Sequence, residues 1–155
     1  MKKRLISIIL FIAYNALLIV VMVFKDIPTI RIGHLMLNFG GTDGDHPANF
    51  IPFSTIVPYL LGFKGWIIAG VNLVGNIVLL VPLGLLFPFV YPRITWKKSL
   101  FFAIATGLAI ETMQAVFQVG VFDIDDVILN ALGVMLGFWI CSMFAAWFQA
   151  KTVRT

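Results

Sequence analysis

The sequence predicts an all-α membrane protein with four transmembrane helices and an outer interfacial or re-entrant segment between helices one and two. Composition is the first reason: 61% of the residues are apolar and 12% are charged, which leaves too little polar surface to cover a water-soluble domain of this size. Length is the second. Four apolar segments, near 5–24, 66–91, 99–119 and 127–148, each reach the roughly 20 residues needed to cross the hydrocarbon. They nearly exhaust the 155 residues, so a single membrane domain over 1–155 is expected.

The first segment follows Lys2, Lys3 and Arg4, as a secretory signal does. Its apolar run outlasts the h-region of a signal, usually about 7–15 residues, and no small-x-small site follows, so it reads as an uncleaved helix. The connection from Lys25 to Gly65 is long, with an irregular turn expected in the Gly- and Asp-rich stretch 40–47. Thr55 to Phe63 is apolar but too short to span, which suits a helix lying in or dipping into the outer leaflet. Pro82 and Gly84 predict a kink or break near 81–84 of the second span.

Charge sets the orientation. Lys2, Lys3, Arg4, Arg93, Lys97, Lys98, Lys151 and Arg154 all fall on one side of the four spans. Basic residues in short flanking segments mark the cytoplasmic face, so both termini are expected inside. This placement also accounts for the net charge of +4 without nucleic acid. Cys141 is the single cysteine, so an intrachain disulfide is excluded. No P-loop, G-x-S-x-G, CxxC or HExxH motif occurs, and His34 and His46 read as ordinary surface histidines.

The polar residues within the spans carry the functional signal. Glu111 is a carboxylate at membrane depth, which costs on the order of 3 kcal/mol unless it faces protein or water. With Gln114 and Gln118 it falls within about 60° of one helical face. Asn72 and Asn76 share a face of the second span; Asp126, Asn130, Gly133 and Gly137 share one on the fourth. Helical rise places Asn72, Glu111, Gln114, Asp126 and Asn130 in the outer half of the bilayer, where Asn72, Asn76, Glu111, Gln114, Asp126 and Asn130 form a candidate ligand pocket. Interhelical amide bonding and close glycine contacts account for the asparagines, glutamines and glycines taken alone as packing; Glu111 shifts the balance to function, because packing could use glutamine and avoid the desolvation cost of a carboxylate. Asp123, Asp125 and Asp126 precede the fourth span; one suits a helix cap, and the three are weak metal-ligand candidates because EF-hand spacing is absent, so no metal site is predicted.

These motifs, in this order, resemble the VanZ-like membrane proteins. Asn49-Phe50-Ile51-Pro52-Phe53 is similar to the family's N-x-x-P-F element. Asn72 to Gly84 resembles its N-x-x-x-N-x-x-x-x-x-P-x-G helix, and Glu111 with Gln114 its E-x-x-Q pair. Asp123, Asp125, Asp126, Asn130 and Gly133 complete the match, which runs from about 49 to 137. Two departures stand out. Gly120-Val121-Phe122 replaces the arginine that many members carry before the aspartates, and Asn130-Ala131-Leu132-Gly133 replaces Asn-Thr-Leu-Gly.

The resemblance implies action at the bacterial cell envelope, and the founding member gives low-level resistance to teicoplanin, a lipid-tailed glycopeptide. The leading expectation is a non-catalytic protein of the cytoplasmic membrane whose outer pocket binds an amphiphile or lipid head group. Its implied partners are the bilayer and either a lipidated glycopeptide or a lipid-linked envelope precursor. Two alternatives stay open: an intramembrane enzyme acting on a lipid or wall precursor with Glu111 as general base, and an ion- or proton-coupled transporter. The sequence leaves any cofactor open.

Overall fold

The structure, a computed structural model, describes residues 2–23, 30–32, 35–37, 48–63 and 65–153. His34, His46 and the 40–47 turn lie outside the described residues. Among the described residues, four helices are long and apolar enough to cross a membrane: α1 (Lys2–Val23), α3 (Trp66–Val90), α4 (Trp96–Val116) and α5 (Ile124–Val153). Between α1 and α3 lie a short antiparallel pair, β1 (Ile30–Ile32) and β2 (Leu35–Leu37), with Arg31 opposite Met36, and the one-turn helix α2 (Ile56–Leu60). The expected interfacial segment is therefore present, and none of the residues of α2 is buried. Phe50, Ile51, Phe53, Leu61, Phe63, Trp66 and Ile67 are exposed beside it, an apolar surface suited to the lipid boundary.

α5 is the central helix: half of its spanning window is buried, against 17% for α1. It packs most extensively on α3, and the two run parallel because each starts at the same end of the bundle. Glycines make this contact possible. A Cβ at Gly84 would run into the Val134 carbonyl, one at Gly133 into the Ile77 carbonyl, and one at Gly137 into the Val81 carbonyl. The two backbones thus touch directly, as small residues allow in membranes. Around this contact Leu80, Leu83, Phe87, Ile110, Val134 and Met135 close the core, with Leu18 and Met22 added from α1.

α3 runs through Pro82 and Pro88 without a break. Each proline removes one bond of the helical ladder, and in the turn before Pro82 the Tyr14 hydroxyl of α1 donates to the Leu79 carbonyl. The carbonyl that Pro82 leaves without its helical donor is that of Val78, so Tyr14 braces α3 one residue beyond the lost bond. α4 begins earlier than 99, at Trp96, because the Thr95 side chain caps it by accepting from the Lys98 N–H at 3.4 Å.

α4 also ends earlier than the apolar run suggests. Gln118 takes φ 55°, the Gln118 N–H donates to the Ala115 carbonyl (3.2 Å), and the Val119 N–H donates to the Gln114 carbonyl (3.0 Å). This double closure is the Schellman arrangement, with glutamine at the left-handed position that glycine usually takes. Gln118 is consequently exposed and outside the helix, so the predicted stripe of Glu111, Gln114 and Gln118 reduces to its first two members.

The glycine contact predicts the cost of filling it. Gly137→Leu should lower the unfolding midpoint of the detergent-solubilised protein and reduce its membrane level, because overpacking costs about 1–3 kcal/mol even where side chains can yield. An exposed control such as Gly65→Ala, strained only by its φ of 84°, should cost less.

Candidate functional site

The end of the bundle where α1 and α4 finish and α3 and α5 begin is organised by two aspartates. Asp125 is wholly buried. Its carboxylate accepts three backbone N–H groups from the approach to α2: Phe53 at 2.5 Å, Thr55 at 2.7 Å and Ile56 at 3.0 Å. Phe53 sits at φ 69°, a left-handed conformation that costs a non-glycine residue roughly 1–2 kcal/mol. That turn curls the backbone into a small anion-binding nest around Asp125.

Asp123 is the N-cap of α5. Its Oδ1 accepts the Asp125 N–H (2.9 Å) and the Asn49 side-chain amide (2.9 Å), and its Oδ2 accepts the Thr55 hydroxyl (2.6 Å). Asn49 completes the joint through its backbone: its N–H donates to Phe122 O at 2.8 Å, and its carbonyl accepts from Ile124 N at 3.0 Å. The first N–H groups of α5, which helix geometry leaves without internal partners, are thereby satisfied from residue 49 and the cap. Burial raises the Asp123 carboxyl above its ordinary range; the bonds from Thr55 and Asp125 N–H oppose this, and the charges of Asp126 and Asp125 add to it.

Glu111 joins the same joint from α4. It is 1% exposed, and its Oε2 accepts the Asp123 backbone N–H at 3.0 Å. Gln114, one turn on, donates from Nε2 to the Met22 carbonyl at 2.8 Å and so ties the end of α1 to α4. Of the predicted pocket, then, Glu111, Gln114, Asn76 and Asn130 are all buried within the bundle. Asn72 is half-exposed and donates to the Ile68 carbonyl of its own helix at 3.0 Å. Asp126 is half-buried, and the buried aspartate is its neighbour Asp125.

Asn130 differs from the other three. It is wholly buried, and neither its Nδ2 nor its Oδ1 has a hydrogen-bond partner. A buried amide left in this way costs roughly 1–3 kcal/mol. It lies about 9 Å along α5 from Ile124, one turn before the Gly133–Ile77 contact. Among the described residues, no three His, Cys, Asp or Glu side chains converge to hold a metal ion. Asp123 and Asp125 use their carboxylates on neutral donors of the chain itself.

The arrangement joins the four motifs read from the sequence into one unit, and a family comparison covers that unit entirely: the VanZ/LLP1 model matches residues 11–145. The chain belongs to the VanZ/LLP1 family. A curated relative, Protein VanZ of Enterococcus faecium, is 32% identical over 66 residues, or 43% of this chain. The match spans 41% of the length of that relative. No solved structure matches the chain. Within this VanZ/LLP1 protein, the residues that spacing alone overlooked are Thr55 and the clamping role of Asp125. The signal available for Thr55 was only its position shortly after Asn49, because its partners lie some seventy positions away in sequence (|i−j| 68 to Asp123).

Two outcomes follow for this joint. Asp125→Ala removes the acceptor of three backbone donors and should cost about 2–4 kcal/mol, read as a lower unfolding midpoint and as proteolytic cleavage appearing within 49–56; Asp125→Asn should lie between it and the wild type. For Asp123 the raised carboxyl means that the protonated form favours the fold. Its stabilisation is complete below the ordinary aspartate range and is lost as pH rises through the raised value. Asp123→Asn keeps an acceptor for Asn49 and a group that reaches Thr55, so unfolding midpoints measured from pH 3 to pH 7 should show a smaller decline with pH than the wild type.

Proposed function

We propose that this VanZ/LLP1 protein acts in the bacterial cytoplasmic membrane, with both termini inside, as a non-catalytic envelope protein that raises tolerance to lipidated glycopeptides such as teicoplanin. Its site takes the polar head of an amphiphile at the outer end of the bundle. The observation that carries the reading is Asn130. Packing alone would pair a buried amide across a helix contact, whereas this one keeps a donor and an acceptor unused about 9 Å inside the end where α5 begins. A site that sacrifices stability for unspent hydrogen-bonding capacity is a site built for a partner.

Further features suit an amphiphile. The exposed apolar residues Phe50, Phe53, Phe63 and Trp66 lie on the segment at that end and offer contact to an acyl tail. Asn72 and Asp126 are the partly accessible members of the polar set, and Glu111, Gln114, Asn76 and Asn130 are its buried members. Asp123 and Asp125 accept only from neutral donors of the chain itself, and an acidic end of this kind suits a cationic group such as an amine. A lipid-linked envelope precursor is the other amphiphile this chemistry admits. The family membership and the relative named VanZ support the envelope setting.

The test separates binding from packing. Asn130→Leu removes an unsatisfied amide and should leave the unfolding midpoint unchanged or higher. In a susceptible host at matched membrane levels, it should nonetheless abolish the teicoplanin tolerance conferred by the wild-type chain, with vancomycin susceptibility unaltered. Glu111→Gln, which preserves shape and the bond from Asp123 N–H, should weaken the tolerance, because an amide cannot ionise to hold a cationic group as a carboxylate can. Full tolerance in Asn130→Leu would refute the reading.

A further inference from the structure

A second site lies at the opposite end of the bundle, where α3 passes to α4. The connection Tyr91 to Thr95 and the first turns of α4 enclose an open cleft of about 1030 Å³. Its lining combines Arg93, Lys97 and Lys98 with Tyr91, Phe101 and Phe102. The cations have no acidic residue near them in sequence: no aspartate or glutamate occurs between Asp45 and Glu111. Every described carboxylate side chain, from Glu111 to Asp126, belongs to the other end. The remaining charges assigned to this end, Lys2, Lys3, Arg4, Lys151 and Arg154, are also basic. The cleft is therefore a concentration of positive charge held next to membrane-spanning helices.

Its other wall is apolar and ordered. Tyr91 stacks on Phe102 with centroids 6.3 Å apart and planes 10° from parallel. Phe102 also meets Phe101 edge-on at 5.7 Å. Lys97 is held with its Nζ 5.7 Å from the centroid of the Trp96 ring, and Trp96 and Tyr91 are exposed, as aromatics at a membrane interface are. Phe101 is 68% exposed and continues the cleft toward the lipid-facing surface of α4.

We infer that this cleft binds the head group of an anionic phospholipid, with the phosphate at Arg93, Lys97 and Lys98 and the upper acyl chain along Phe101 and Phe102. A free phosphate satisfies the cations alone and leaves the aromatic wall without purpose; a lipid uses both. Basic pockets flanking membrane helices are the usual setting for such recognition, with each cation contributing about 1 kcal/mol. The inference does not depend on the antibiotic role proposed above, which concerns the other end of the bundle.

The experiment reconstitutes the full chain in phosphatidylcholine vesicles and measures energy transfer from its tryptophans to pyrene-labelled phosphatidylglycerol and to pyrene-labelled phosphatidylcholine. The wild type should prefer phosphatidylglycerol by at least about tenfold in apparent association. Arg93→Gln, Lys97→Gln and Lys98→Gln combined should lose that preference, roughly fivefold per cation, with an unchanged unfolding midpoint in phosphatidylcholine. Where the triple variant does not accumulate, Lys98→Gln and a salt titration of the wild type stand in, and both should weaken the preference. Equal transfer to the two lipids, or a preference that neither salt nor neutralised cations reduces, overturns the proposal. Displacement of the labelled lipid by inorganic phosphate, beyond the effect of chloride at matched ionic strength, overturns the lipid assignment in favour of a free anion.

Discussion

The Asp125 carboxylate, gripped by the N–H groups of Phe53, Thr55 and Ile56, is the interaction on which one end of this protein depends. A carboxylate buried at the edge of a bilayer needs donors, and a loop entering a short helix beside lipid has N–H groups that need acceptors. Each solves the other's problem. The left-handed turn at Phe53 follows from it, because the chain must fold inward for these N–H groups to converge. So does the placement of Asn49 and Thr55 against Asp123, and through the Asp123 N–H the position of Glu111. A segment with no buried residue of its own in α2 is thus located by polar bonds instead of by core packing.

The middle of the bundle is held differently. There the contact between α3 and α5 relies on backbone touching backbone at Gly84, Gly133 and Gly137, and dispersion between closely fitted surfaces supplies the attraction that lipid cannot. Asn130 lies a turn away from this tight seam with its amide unbonded. A polar group without a hydrogen-bond partner thus lies beside the most closely packed contact of the fold.

The four spans were legible because length and apolarity are properties of a segment by itself, and Glu111 and Asn130 stood out because polar groups in apolar runs are conspicuous. The end of α4 was not, since apolarity persists past Val116 while the turn at Gln118 depends on backbone bonds to Gln114 and Ala115. Helical arithmetic singled out Asp126 because it shares a stripe with Asn130. Which of two adjacent aspartates is buried depends, however, on where the 49–56 segment docks, and that is a long-range fact invisible in local spacing. The motif order placed Asn49 and Asp123 in one family pattern, but the bond between them is known only from the fold.

The parallel pairing of α3 with α5 has a consequence for how the chain is made. α4 lies between them in sequence, so the most extensive helix contact among the described residues forms only once α5 has entered the bilayer. Until then the Gly84 face of α3 has no partner, and neither Asp125 nor Asp123 exists to receive the loop that precedes α3. Without α5 the other three helices lack both the glycine seam and the acceptors that hold the 49–56 segment.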